Sequence, residues 1–245
     1  MNTPSASPVE SPIDESARRS PARKVLIWDA PVRLFHWLMV FSFAGAYLTA
    51  ESERWRLVHV TLGYTMAGLV VFRIVWGLVG TRHARFSSFV RGPAEIGRYM
   101  RGLVRRQPEH HAGHNPAGAL AIVALLGMTL VVAAAGWATD NAVGGHWLEE
   151  LHEGAANVML AIVGVHVAGV LLASRMHRTN LIGAMVTGRR AGRPEEGVRS
   201  AWRSVALLML VVVLGFWWVQ WHSPSSPATA SATASISKDH DRDDD

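Results

Sequence analysis

The sequence predicts an all-α integral membrane protein, a helical bundle with a four-helix core and a fifth transmembrane helix. Three observations predict it. Charge is sparse, 18% of the 245 residues against 49% hydrophobic, where a soluble domain carries roughly 25% charged residues. It is missing altogether from Ala117 to Thr139, from Gly154 to Ser174 and from Ser204 to His222, and each gap suffices for the ~20 residues that cross a bilayer core as helix. Tryptophans border the apolar runs at Trp37, Trp55, Trp76, Trp137, Trp147, Trp202 and Trp221, where amphipathic indoles favour the headgroup layer. Lys and Arg alternate between connecting segments: five from Arg18 to Arg33, seven from Arg82 to Arg106 and seven from Arg175 to Arg203. The intervening segments hold Arg54 and Arg56, then none, then Lys238 and Arg242.

Residues 1–23, rich in Ser, Pro and charge, are expected to be disordered; they lack an apolar h-region and so do not read as a cleavable signal peptide. The spans are then expected at Leu34 to Ala50, Leu57 to Val79, Ala117 to Thr139, Gly154 to Ser174 and Ser204 to Trp221. Between the second and third, Ile96, Tyr99, Met100, Leu103 and Val104 keep helical spacing while Arg98, Arg101, Arg105 and Arg106 fall on other faces. That pattern predicts an interfacial helix on an anionic leaflet. Residues 24–190 form the four-helix domain, 191–222 a linker with the accessory fifth span, and 223–245 a disordered Ala/Ser/Thr tail ending in acids. The Lys/Arg alternation places the N-terminus in the cytoplasm and the C-terminus in the periplasm of an inner membrane, multi-pass. On this topology the net charge of +5 marks membrane orientation and not a nucleic-acid partner. The absence of cysteine excludes disulfides, iron–sulfur clusters and covalent haem attachment, so a haem here is held by coordination alone.

Of twelve histidines, four lie in or at the entrance of the spans: His36, His59, His152 and His166. An ionisable group inside a membrane helix is costly and marks function by default, although a lone histidine also serves as packing glue. Depth makes these four informative. The first span enters from the cytoplasm and puts His36 near the inner side, while the second starts outside with His59. His152 precedes the fourth apolar run and His166 follows it by fourteen residues, a rise of about 21 Å and about 40° short of four turns. The depths match as an inner pair, His36 with His166, and an outer pair, His59 with His152, and each pair suits one iron clamped from opposite sides. Zinc is the rival use, but sites about 21 Å apart do not form one tetrahedral centre. Gly63 and Gly169, near His59 and His166, suit either a flat cofactor or helix packing. Arg73, fourteen residues after His59, either pairs with a propionate of an inner haem or snorkels to the interface. His83, His110, His111 and His114 are expected as solvated loop residues, and His146 as an exposed outer-loop histidine.

The motifs WDAPVRLFHW (Trp28 to Trp37), HVTLGY (His59 to Tyr64), FRIVWGLVGTRHARFSSF (Phe72 to Phe89), GHNPAGAL (Gly113 to Leu120), LHEGAAN (Leu151 to Asn157) and VHVAG (Val165 to Gly169) together resemble the bacterial cytochrome b561 and hydrogenase b-type cytochrome family. The resemblance spans about residues 24 to 190. It implies a four-helix membrane cytochrome with two haem b groups, ligated, motif by motif, by His36, His59, His152 and His166. The fifth span and the acidic tail depart from the family pattern. The expected function is electron transfer in a respiratory chain, between quinone or quinol and a c-type cytochrome or a hydrogenase-like dehydrogenase outside the membrane. Part of the family implies a superoxide:quinone oxidoreductase instead, against which Glu149, Glu150 and Glu153 would set negative charge at the outer entrance. A haem-free transporter or assembly protein using the histidines for protons or metal is the alternative of another class.

Overall fold

Asp29 starts the first helix and ties it to the second. In the computed structural model of the chain, which describes residues 23–88, 116–176 and 178–222, Asp29 Oδ1 accepts the Val32 backbone N–H at 2.9 Å. Its Oδ2 accepts the Trp76 indole N–H at 3.1 Å and the Thr81 hydroxyl at 2.6 Å. The carboxylate is 1% exposed. With this N-cap and Pro31 in the first turn, helix α1 runs Ala30–Thr49, four residues earlier than apolarity alone indicates. Helix α2 is Arg56–Val79, α3 Pro116–Asp140 and α4 Trp147–Met176. The last starts seven residues before its predicted apolar run, because Glu149 and Glu150 occupy a first turn where the helix dipole favours acids. A short helix α5, Leu181–Thr187, is capped by Asn180 and ended by Gly188 in the left-handed region at φ 77°. Helix α6 is Arg203–His222.

Five of these helices are long and apolar enough to cross a membrane. Their outward faces carry Leu48 at 84% exposure, Val165 at 74% and Val79 at 72%; apolar exposure on this scale suits lipid and not water. Inside, α1 packs on α2, α2 on α3 and α3 on α4. Val70, Leu69, Met66 and Met159 are buried, and Thr129 of α3 returns its hydroxyl to the Leu125 carbonyl at 2.7 Å, as a polar side chain in an apolar interior must.

The end of the bundle where α1 begins is closed by a structure that the span reading did not contain. Strand β1, Arg23–Leu26, pairs antiparallel with β2, Arg189–Gly192, with Leu26 opposite Arg189. The ribbon continues as Ile27 and Trp28 donate to the Gly188 carbonyl at 2.8 and 3.1 Å, Val198 to Leu26 at 2.7 Å and Ala30 to Ala201 at 2.8 Å. The Arg193 backbone N–H, and then its guanidinium, hold the Glu196 carboxyl below the ordinary carboxylate range. Val32, Trp76 and Ala84 form a core here with Trp28, Phe72 and Val205, and Trp202 meets Trp76 edge-on at 5.7 Å. This is the latch end; the turn between α1 and α2 marks the opposite, hairpin end.

His83 corrects one expectation. Read as a solvated loop residue, it is 8% exposed, donates from Nε2 to the Glu196 carbonyl at 2.7 Å and meets Trp28 edge-on, because the loop after α2 folds against the segment following the ribbon. The interfacial helix, His110, His111, His114 and both expected disordered termini lie outside the described residues, apart from Arg23. The chain divides into two units between Leu207 and Leu208. From Leu208 onward α6 is an apolar helix in which Trp218 stacks on His222 at 3.9 Å.

Replacing Asp29 with Ala should remove the cap and strand two donors. With a cap worth about 1 kcal/mol and each stranded buried donor about 1–3 kcal/mol, stability in detergent should fall by about 3 kcal/mol or more. Asp29→Asn, which keeps one acceptor oxygen, should lose less. Chemical unfolding of the three proteins checks the order.

Candidate functional site

His59 and His152 come together at the hairpin end. Their rings lie 6.0 Å apart between centroids, inclined at 77°. His59, in the first turn of α2, places Nδ1 2.8 Å from the Ala46 carbonyl of α1. His152, in the second turn of α4, places Nδ1 2.9 Å from the Val132 carbonyl of α3. A carbonyl oxygen only accepts, so Nδ1 carries the proton in both rings and Nε2 keeps its lone pair. That is the tautomer a metal requires of an imidazole whose far nitrogen is anchored.

The two carbonyls are available for local reasons. Ala46 lies in the last turn of α1, where the final carbonyls run short of backbone donors, and its oxygen also accepts the Thr49 hydroxyl at 3.2 Å. Val132 lies inside α3, and its carbonyl is reached across Gly136, one turn on. A Cβ at Gly136 would stand 2.8 Å from His152 Cε1 and 2.9 Å from Nδ1, so only glycine lets the ring sit there. This residue escaped the sequence reading, in which it was one apolar-run glycine among many; its signal is steric. Gly63 and Gly169, singled out in that reading, meet no atom within 4 Å of a built Cβ, so neither is a close helix contact.

Other polar bonds fix the same end. Tyr47 of α1 donates to Asn157 of α4 at 3.2 Å; Arg56 of α2 meets Asp140 of α3 at 2.9 Å, and Tyr64 donates to the same carboxylate at 3.2 Å. His146 is exposed, as expected, and lies 3.0 Å from Glu149 and 3.6 Å from Glu150.

Toward the latch end stand His36 of α1 and His166 of α4, both partly buried. His36 meets Trp37 edge-on at 5.2 Å, and its Nδ1 is buried without a hydrogen-bond partner. Arg73 of α2 does not snorkel. It is 3% exposed, its guanidinium carbon stands 4.8 Å over the Phe86 ring, and Nη1 is buried without a partner. Phe86 reaches this position because Gly77 presents no Cβ to its ring.

Comparison with known proteins gives a family for this arrangement. A probable Ni/Fe-hydrogenase B-type cytochrome subunit of Rhizobium leguminosarum bv. viciae is 24% identical over 221 residues, covering 71% of this chain and 92% of the relative. One from Bradyrhizobium diazoefficiens is 24% identical over 230 residues, covering 74% and 92%; one from Azotobacter vinelandii is 31% identical over 135 residues, covering 44% and 55%. No solved structure matches the chain. The family model of prokaryotic cytochrome b561 matches residues 27–188, which take in all four membrane histidines and stop just short of the two latch strands on either side: the chain belongs to the prokaryotic cytochrome b561 family, the multi-pass membrane b-type cytochromes of electron transport.

Proposed function

We propose that this chain carries electrons across the membrane through two bis-histidine haems, one held by His59 and His152 and the other by His36 and His166. The observation that carries the reading is the outer ring pair: two imidazoles with free Nε2 atoms and centroids 6.0 Å apart. Two ligating nitrogens each about 2 Å from one metal require centroids at about 6 Å. A haem held by both histidines of a pair would supply a one-electron iron couple suited to electron transfer rather than oxygen binding. The chain contributes what keeps that couple in place: Nδ1 anchors that fix ring tautomer, a glycine floor beneath His152, and the Arg73 cation for a propionate near His36.

The partners follow from charge and kinship. Lys and Arg gather in the segments at the latch end, which puts that end in the cytoplasm and the hairpin end in the periplasm. The relatives named as hydrogenase cytochrome subunits support a hydrogenase-like dehydrogenase as donor on the outer side, and a c-type cytochrome is the other candidate there. The quinone pool takes or supplies the electrons within the membrane. The exposed Glu149, Glu150 and Glu153 beside His152 suit a basic partner and repel an anion such as superoxide.

Three measurements test this reading. The purified protein should hold two haems per chain with a b-type reduced-minus-oxidised spectrum; a colourless protein ends the proposal. His36→Ala and His166→Ala should lose one titrating component, and His59→Ala and His152→Ala the other. Removal of the same component by His36→Ala and His59→Ala would show the pairing to be wrong. Gly136→Val should mimic His152→Ala and spare the remaining component. Because the chain lacks cysteine, single cysteines report sidedness. Glu51→Cys should react with an impermeant maleimide in intact spheroplasts, and Ser200→Cys only after permeabilisation; the reverse pattern inverts the topology.

A further inference from the structure

Among the described residues, four buried side-chain polar atoms lack a hydrogen-bond partner: Arg33 Nε, His36 Nδ1, Thr61 Oγ1 and Arg73 Nη1. Native interiors leave few such atoms, and each calls for an explanation. Three of the four lie on the latch-end halves of α1 and α2. The Trp76 indole bonds Asp29, which sets those residues level. From there Arg73 lies three residues deeper along α2, about 4.5 Å, and Arg33 four residues deeper along α1, about 6 Å. His36 follows one turn beyond Arg33, about 10 Å from the same reference.

Arg33 is held as a positioned group. Its Nη1 donates to the Val186 carbonyl of α5 at 2.9 Å. Gly188, left-handed at φ 77°, makes room beside it, since a Cβ there would stand 3.0 Å from Nη1 and 2.6 Å from the Trp28 carbonyl. With one edge of the guanidinium tied to α5, the Nε donor remains buried and open. Guanidinium nitrogens only donate and do not lose their charge in proteins. No carboxylate among the described residues lies within ion-pair distance of Arg33 or Arg73. Asp29, nearest in charge to Arg73, has its oxygens occupied by Val32, Trp76 and Thr81.

We propose that Arg33 and Arg73 form a two-pronged carboxylate clamp, one cation for each propionate of the haem held by His36 and His166, with Arg33 as the positioning residue that the span reading counted only toward topology. The inference rests on the proposed function, which supplies the haem. Two arginines match two propionates in charge and in planar donor geometry. The chemistry also distinguishes the two haem sites. The fourth unpartnered atom, Thr61 Oγ1 two residues after His59, is a hydroxyl, and Arg56 at the hairpin end is paired with Asp140, so the clamp belongs to the latch-end site.

Arg33→Gln tests the clamp by potentiometric titration of protein reconstituted with haem b or with haem dimethyl ester, whose propionates carry no charge. With haem b, the component that His36→Ala abolishes should shift to lower potential, because an unneutralised propionate disfavours the added electron; the other component should not move. With the ester, which has no propionate to titrate, the potential should stay independent of pH in both proteins, whereas with haem b the substitution should raise the propionate pKa and make that component's potential depend on pH. Arg33→Lys, which keeps the charge and loses the fork, should give a smaller shift in the same direction and serves if the glutamine variant fails to fold. The same pH dependence with both haems, no shift with haem b, or movement of both components would overturn the clamp. A wild-type protein that binds two haems while Arg33→Gln changes nothing sinks the clamp and leaves the proposed function standing; a wild-type protein that binds none sinks both.

Discussion

The bond from each outer histidine Nδ1 to a helix carbonyl is the interaction on which the site depends. Inside an apolar bundle no water completes the coordination of a stray polar atom, so an imidazole must commit one nitrogen to the protein before the other is free for anything else. The fold provides the acceptors at points where helices have them to spare. At Ala46 the spare carbonyl exists because α1 ends there. At Val132 it exists because Gly136 uncovers a carbonyl already engaged in the helix ladder, and a carbonyl with two lone pairs accepts twice. The end of one helix and a missing Cβ in another therefore anchor two rings whose centroids lie 6.0 Å apart. The polar links at Asp140 and Asn157 keep the four helices from sliding past one another.

The latch end solves the same problem differently. There a carboxylate is buried, and Asp29 survives burial because three donors converge on it from α1, α2 and the loop after α2. The ribbon of β1 and β2 then joins the start of α1 to the segment after α4, so the first and fourth helices, which bear His36 and His166, are held to a common frame by main-chain bonds. The aromatic core around Trp76 fills the space beneath that frame.

The bundle was legible in the sequence because lipid imposes a long, charge-free signal that no local context overrides; all five spans follow from it, with boundaries shifted only where Asp29 or the Glu149 and Glu150 turn extends a helix beyond its apolar run. Depth along antiparallel helices sets His59 and His152 at one level in the sequence, and their rings lie 6.0 Å apart. What was not legible is long-range and short in sequence. Four residues of β1 meet four of β2 across 162 intervening positions, and neither RKVL nor RRAG alternates enough to read as a strand. His83 looked solvated for the same reason: its partner, the Glu196 carbonyl, lies 113 residues away. Gly136 and Gly188 matter through what a Cβ would strike, and a one-dimensional pattern holds no record of that.

The two ends also differ in charge, and the difference bears on which way an electron moves. On the proposed topology an electron travelling from the hairpin end to the latch end moves toward the negative side of an energised membrane, at a cost of about 2.3 kcal/mol per 100 mV for the full crossing. Two uncompensated propionates near His36 would add their own repulsion in a medium where charges are weakly screened. On the proposed clamp, the buried Arg73 and the partly buried Arg33 would cancel this second penalty. The hairpin end carries the opposite bias, because Glu149, Glu150 and Glu153 flank His152 in sequence and are exposed. Fixed charge therefore lowers the energy of an added electron at the latch end relative to the hairpin end. On the proposed reading, an electron entering at the hairpin end would be drawn toward the latch end by the fixed charge of the protein, against the membrane field.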